Sequence, residues 1–206
     1  GRLGYGYKFD TPKRQVMKFF YSDDIIRIGE NEKILYLYEN MLSPAENNLV
    51  SYFFQRDELD ELIRQKRFAA TYEHEWYTGP MSKINVSHLQ QSSPVFYPFT
   101  YQGGNVDRIN VYDATVDFRW SWKEKFIDDG FLRYYYATDF PIVHFTLGGG
   151  QYQFDNVTHG YGKLHASIKQ NVYLQQAYIR YAIEAGTYFG KLPYTLLEIP
   201  RGNESY

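Results

Sequence analysis

The residues best equipped for chemistry form the acidic–histidine–acidic run Glu73–His74–Glu75. Carboxylates and imidazole nitrogens are ligands that zinc and similar ions accept in proteins. The run lies in a stretch that alternates like a β-strand, in which consecutive side chains point to opposite faces of a sheet. His74 would therefore face away from both glutamates, and we predict that these three groups do not bind one metal ion.

The other residues that could do chemistry match no known kind of site. His88, His144, His159 and His165 have no second ligand at a metal-binding spacing. The chain has no cysteine, and it contains neither a Gly-x-Ser-x-Gly nucleophile motif nor a phosphate-binding loop. The run Gly148–Gly150 is too short for a nucleotide fingerprint and indicates a bend or a closely packed segment. We therefore predict no enzyme activity, no catalytic residue, no metal and no cofactor.

The composition indicates an unusual distribution of apolar surface. The 206 residues include 22 basic and 24 acidic side chains, a near balance that argues against nucleic acid as a partner. Aromatic residues make up 19% of the chain, yet the mean hydropathy is only -0.53. No stretch approaches the roughly 20 apolar residues of a membrane helix. Many tyrosines without long apolar runs are typical of strands that alternate between lipid and water, with aromatic girdles at both interfaces.

Residues 110–123 show this alternation most clearly. One face carries Tyr112, Ala114, Val116, Phe118, Trp120 and Trp122. The opposite face carries Val111, Asp113, Thr115, Asp117, Arg119, Ser121 and Lys123. Alternation with period two predicts a strand. Its length exceeds the ~5–6 residues usual in globular proteins and suits the ~9–11 residues of a tilted strand that crosses a membrane.

The same alternation recurs along the chain. It is found at 2–9, 17–21, 67–77, 84–88, 143–147, 163–169 and 177–186. We therefore predict about eight antiparallel strands, with the apolar faces toward lipid and the mixed-charge faces lining a wet interior that holds cross-strand ion pairs. On this interpretation Val116→Arg impairs membrane assembly, whereas the inward-facing Thr115→Arg is tolerated.

The connections between these strands alternate in predicted length. We expect tight periplasmic turns at 10–13, 78–80 and around Leu174, and longer extracellular segments at 24–65, 89–108 and 149–159. Residues 124–139 break this rule, and one interpretation is that their last part, 131–138, extends the next strand. The segment 57–66 is the best helical pattern of the chain and predicts a short helix in the first long loop.

Several segments together resemble one protein family. They are DTPKRQVMKFFYSDDIIRIGENE at 10–32, TYEHEWYTG at 71–79, DFRWSWKEKF at 117–126, TDFPIVHFTLGGG at 138–150 and GTYFGKLPYTLLEIPRGNESY at 186–206. In this order they resemble the barrel region of large Bacteroidota outer-membrane proteins that carry a carboxypeptidase-regulatory-like domain. That barrel region has no known function and is similar in layout to the outer-membrane assembly-factor superfamily, whose barrels have about sixteen strands.

The resemblance implies a domain organisation and one candidate site. Residues 1–206 would be a partial outer-membrane barrel domain, truncated at both ends, with a long extracellular loop at about 24–65. The loop-like segment 190–206 would fold back into the barrel and place Arg201, Gly202 and Asn203 near the inner wall. The superfamily's Val-Arg-Gly-Tyr/Phe signature is not present in this sequence.

The sequence thus predicts an all-β chain, an antiparallel transmembrane barrel segment in the bacterial outer membrane. Its role would be transport, translocation or assembly at that membrane. Its partners would be outer-membrane lipid and periplasmic or surface proteins, with no nucleic acid. The alternative is a soluble β-sandwich module that binds carbohydrate or protein through a platform of tyrosines, although sandwiches use shorter strands with turns every ~8–12 residues. A catalytic barrel would need a nucleophile–base pair, which the sequence does not indicate.

Overall fold

A computed structural model describes residues 1–9, 13–27, 62–76, 79–94, 98–101, 104–129, 132–154, 157–175 and 177–197. The strands are β1 (Arg2–Lys8), β2 (Gln15–Arg27), β3 (Leu62–Glu75), β4 (Met81–Ser92), β5 (Phe99–Tyr101), β6 (Gly104–Val106), β7 (Arg108–Trp120), β8 (Lys125–Asp129), β9 (Leu132–Ala137), β10 (Ile142–Phe154), β11 (Val157–Tyr173) and β12 (Tyr178–Gly190). A 3-10 turn, Tyr194–Leu196, follows β12. No helix in these ranges has the length and apolar character needed to cross a membrane.

Eight of the strands form one antiparallel sheet in the order β1-β2-β3-β4-β7-β10-β11-β12. Every neighbouring pair is antiparallel and follows the order of the chain. The predicted set of about eight antiparallel strands is therefore confirmed, although β1 spans only seven residues. Among the described residues β1 and β12 each pair with one neighbour only, so the sheet is open in this structure.

Among the described residues, two small hairpins lie between strands of the sheet without joining it. β5 and β6 pair with each other between β4 and β7, and β8 and β9 pair with each other between β7 and β10. The predicted extension of the next strand by residues 131–138 is thus wrong, because Leu132–Ala137 pairs with Lys125–Asp129 instead of with the sheet.

The three tight turns lie at one end of the sheet, which we call the turn end. Backbone hydrogen bonds close them, from Phe9 N to Gln15 O, from Trp76 N to Pro80 O, and from Leu174 N to Ala177 O. Gly79 occupies a conformation that L-residues rarely adopt, with φ of 107°. A methyl group there would also lie 1.9 Å from the carbonyl oxygen of Ser121, so only glycine fits.

The opposite end of the sheet, the loop end, differs from the prediction. β10 and β11 run to Phe154 and from Val157, so most of the predicted 149–159 loop is strand. The first loop is also shorter than the predicted 24–65, since its two ends are paired as Ile25–Arg64 and Arg27–Leu62.

The helix predicted at 57–66 is wrong for its described part, because residues 62–66 belong to β3. Ile63 is 2% exposed and pairs with Ile26 of β2. A ten-residue segment gains little from helix formation alone, whereas strand pairing with β2 satisfies its backbone groups and buries Ile63. Residues 57–61 lie outside the described residues.

Candidate functional site: two faces and two hairpins

One face of the sheet is apolar and exposed. Directly paired residues in neighbouring strands share a face, so one row can be followed across all eight strands. This row consists of Tyr7, Met17, Tyr72, Ile84, Val116, Leu147, Leu164 and Thr187. Val116 is 46% exposed and Leu147 is 55% exposed. We call this surface the outward face.

The outward face has polar and aromatic borders. Toward the loop end, the Arg64 guanidinium contacts Asp23 at 2.8 Å, and Gln90 donates a hydrogen bond to Asn110. Toward the turn end lie all three tryptophans of the chain, Trp76, Trp120 and Trp122, each 41–54% exposed. The Lys13 ammonium lies 4.8 Å from the Trp76 ring, and that of Lys123 lies 5.8 Å from the Phe140 ring. An apolar band is thus framed by polar groups on one side and by tryptophans with nearby lysines on the other.

The apolar band runs obliquely to the hydrogen-bonded rows. The row that contains Phe68 on β3 reaches Tyr112 on β7 and then the polar Gln151 on β10. On β10 the large apolar side chains begin at Leu147, four residues nearer to the turn end. The band therefore shifts toward the turn end from β3 to β10.

The opposite, inward face is polar and buried near the turn end. Lys18 on β2 contacts Glu73 on β3 at 2.9 Å, and the Arg14 guanidinium lies 3.6 Å from Glu73 and 3.7 Å from Glu75. Arg119, which is 5% exposed, donates hydrogen bonds to Ser121 and to Glu124. The contact of Lys18 with Glu73 confirms that a cross-strand ion pair lies on this face, as predicted.

The β8–β9 hairpin packs onto this charged region. The Arg133 guanidinium and the Tyr135 hydroxyl each donate a hydrogen bond to the same Glu75 oxygen, both at 2.7 Å. The Arg119 guanidinium lies 4.4 Å from the centre of the Tyr135 ring. Burial, followed by the negative charge of Glu75, raises the pKa of Tyr135 above its ordinary value, so Tyr135 remains a hydrogen-bond donor.

Midway along the inward face, an ion pair crosses a glycine strand. Lys163 of β11 contacts Asp113 of β7 at 2.7 Å, and the Tyr161 hydroxyl donates to the same carboxylate. The strand between them, β10, has Gly148 opposite Lys163 and Gly150 opposite Tyr161. A methyl group on Gly148 would lie 2.8 Å from the Lys163 side chain. The glycines therefore leave room for β11 side chains to reach β7.

The inward face is packed at Thr115, which overturns part of the prediction. Thr115 is 1% exposed and lies beside Gly148. An arginine at position 115 would have no open interior to enter, so the expected tolerance of Thr115→Arg is wrong. The outward position Val116 is unaffected by this correction.

At the loop end the inward face is apolar. The β5–β6 hairpin contributes Phe99 and Val106 to a buried cluster with Ile109, Val111, Tyr152 and Phe154. The 3-10 turn after β12 reaches the same region, where the Thr195 hydroxyl donates to Gln91 at 2.7 Å and Leu196 packs against the cluster. Arg201, Gly202 and Asn203 lie outside the described residues.

The side chains of the run Glu73–His74–Glu75 lie on opposite faces of the sheet. His74 stacks near Trp76 on the outward side, at 4.5 Å between ring centres. Glu73 and Glu75 are buried on the inward side. In the part of the chain that the structure describes, no group of three or more His, Asp or Glu side chains could hold a metal ion.

Sequence reasoning did not identify the contact of Arg133 and Tyr135 with Glu75. In the sequence, the only indication was their spacing of two residues, which places Arg133 and Tyr135 on the same side of a strand. Their partner lies 58 and 60 residues away, which a local pattern cannot indicate.

Comparison of the chain with protein-family models, with curated proteins and with solved structures gave no match.

Proposed function

We propose that this sheet is part of the wall of a β-barrel in the bacterial outer membrane, with its outward face toward lipid and its inward face enclosed. One observation carries the proposal. In a water-soluble antiparallel sheet with one covered face, that face is apolar and the solvated face is polar. Here the exposed face is apolar, as at Val116, and buried positions of the other face are charged, as at Arg119 and Glu75.

The borders of the apolar band support the proposal. Along β3 and the residue after it, the band runs from Phe68 to Trp76, a span of nine residues, which suits the ~9–11 residues of a tilted strand that crosses a membrane. Outer-membrane barrels also have aromatic residues at the interfaces. The band also runs obliquely to the paired rows, which is expected where strands are tilted in a membrane.

The inward face supports a wall with more strands than these eight. The interior of an eight-stranded barrel is only wide enough for side chains or one small ligand. The β5–β6 hairpin packs on the inward face through Phe99 and the β8–β9 hairpin through Arg133 and Tyr135. Two hairpins need a wider lumen, so we propose a larger barrel, in keeping with the resemblance to barrels of about sixteen strands. Its role would be transport, translocation or assembly.

A pair of arginine substitutions on β4 tests which face meets lipid. Val86 is 54% exposed on the outward face, and its neighbour Ser87 faces inward, opposite Asp113. An arginine that faces lipid near the membrane centre costs ~2–4 kcal/mol. We expect Val86→Arg to reduce the amount of folded protein in outer-membrane fractions strongly, and Ser87→Arg to leave it near the wild-type level.

Equal assembly of the two variants would contradict the proposal. If both variants also remained soluble in fractions without membrane, the alternative of a β-sandwich binding module would gain support, with the outward face as its binding surface.

A further inference from the structure

The β8–β9 hairpin is attached to the sheet through side chains. Within the described residues its two strands hydrogen-bond as a ladder only to each other. Phe126 and Ile127 on β8 are exposed, so they do not anchor the hairpin in a core. A two-stranded hairpin is marginally stable by itself, and among its described side chains Arg133 and Tyr135 contact the sheet.

Those contacts converge on a single carboxylate. Glu75 accepts hydrogen bonds from Arg133 and Tyr135 at 2.7 Å each. The Tyr135 ring also covers Arg119, whose guanidinium donates to the buried hydroxyl of Ser121. The hairpin thus covers a polar part of the wall, and Glu75 is the point at which it is fastened.

The buried carboxylates under the hairpin have cations from the sheet as well as from the hairpin. Glu73 and Glu75 are matched by Arg14 and Lys18, which all belong to β2, β3 or the turn before β2. A buried carboxylate that lost its only cation would be costly. Because Arg14 stays near Glu75, release of Arg133 does not leave such a carboxylate.

The hairpin also has a defined neck. Before β8, Lys123 has a positive φ of 47°, a conformation that is uncommon for residues other than glycine. After β9, the Thr138 hydroxyl donates to the Trp122 carbonyl at 2.8 Å. The hydrogen bond from Thr138 to Trp122 joins the two ends of the hairpin next to β7.

We infer that the β8–β9 hairpin is a hinged lid over the turn end of the inward face, fastened by Glu75. Glu75→Gln weakens the fastening, because hydrogen bonds to charged groups are stronger than those to neutral groups. The inference rests on the proposed function only for what the lid encloses, namely the inside of a barrel.

Hydrogen exchange of the folded protein in detergent tests the lid. In Glu75→Gln we expect the backbone amides of β8 and β9 to exchange about tenfold faster, which is the effect of weakening one or two charged hydrogen bonds. The amides of β5, β7 and β10 should keep their wild-type rates. Glu184→Gln, which removes an exposed carboxylate of the inward face on β12, is the control and should change nothing in the hairpin. Arg133→Gln removes the other half of the fastening and should reproduce the effect.

Thiol labelling tests whether the hairpin uncovers the wall. The chain has no cysteine, so Ser121→Cys provides a single thiol at a site that is 1% exposed. We expect a water-soluble maleimide to label this thiol about tenfold faster when Glu75→Gln is added.

If Glu75→Gln left the exchange rates of β8 and β9 unchanged, the inference that this hairpin is a lid would be wrong. Faster exchange that also spreads to β7 and β10 would contradict the inference, because the hairpin would then stabilise the whole sheet. Faster exchange without faster labelling would contradict it too, because the hairpin would then loosen without exposing the inward face. Both measurements are made in detergent, so their results do not depend on whether the outward face contacts lipid in the cell. A negative result would therefore contradict the lid without contradicting the proposed function.

Discussion

The two hairpins on the inward face are held in different ways. The β5–β6 hairpin buries Phe99 and Val106 in an apolar cluster at the loop end. The β8–β9 hairpin leaves Phe126 and Ile127 exposed and is fastened through Glu75 at the turn end. If the β5–β6 hairpin moved away, the free energy gained by burying its apolar side chains would be lost. If the β8–β9 hairpin moved away, water could hydrogen-bond to Glu75, and Arg14 would remain near its charge. The first hairpin is therefore a fixed part of the fold, and the second is suited to open.

Removing the apolar anchor should have the largest effect. Phe99 is 2% exposed, and truncating a buried phenylalanine to alanine costs ~3–5 kcal/mol. We expect Phe99→Ala to lower the urea midpoint of unfolding in detergent micelles substantially. Phe126→Ala, the same change at a ring that is 47% exposed in the other hairpin, should move the midpoint far less. Equal effects of the two changes would remove the distinction between the hairpins.

The region between the hairpins should be sensitive to a single methyl group. A side chain on Gly150 would lie 2.2 Å from the Tyr112 carbonyl oxygen and 3.0 Å from the Tyr161 hydroxyl. Gly150→Ala should destabilise the protein by ~1–3 kcal/mol, the usual cost of overpacking, as measured by the temperature at which the folded band disappears on a gel. At Gly160 the nearest atom would be 3.9 Å away, so Gly160→Ala should be tolerated. A similar loss in both variants would contradict the tight packing at Gly150.

Removing one hydroxyl from the fastened hairpin should have a smaller and local effect. Tyr135→Phe deletes the hydrogen bond to Glu75, and bonds to charged groups contribute ~1.5–3 kcal/mol. We expect faster hydrogen exchange in β8 and β9 with little change in the urea midpoint. Tyr5→Phe, on the exposed side of β1, should alter neither quantity. A midpoint that falls as far as in Phe99→Ala would show that this hairpin is also part of the stable core.

The smallest effect is expected at the exposed pair of Asp23 and Arg64 at the loop end. Both side chains are accessible to solvent, and such ion pairs contribute little to stability. Asp23→Asn should leave the urea midpoint unchanged at low and at high salt. A clear loss at low salt only would mean that this border of the apolar band contributes more than its exposure suggests.

The sequence predicted the sheet better than its connections, for a physical reason. Strand alternation is local information, so residues such as Val116 and Thr115 could be assigned to opposite faces from their own segment. The hairpin of Arg133 and Tyr135 depends on Glu75, which is distant in the chain, and no local pattern indicates that contact. At residues 62–66 the helical pattern was overridden by pairing with β2. The packing around Thr115 also depends on glycines of a neighbouring strand.

The most direct test of the central claim uses the three tryptophans, which all lie on the outward side at the turn end. The protein would be folded into vesicles of phospholipids that carry bromine atoms at known depths, and its tryptophan fluorescence would be compared with that in unbrominated vesicles. If the outward face meets lipid, bromines near the interface should quench the fluorescence strongly, and aqueous iodide should quench it weakly. Strong quenching by iodide together with no quenching by brominated lipid would contradict the account, because the apolar face would then lie in water or against protein.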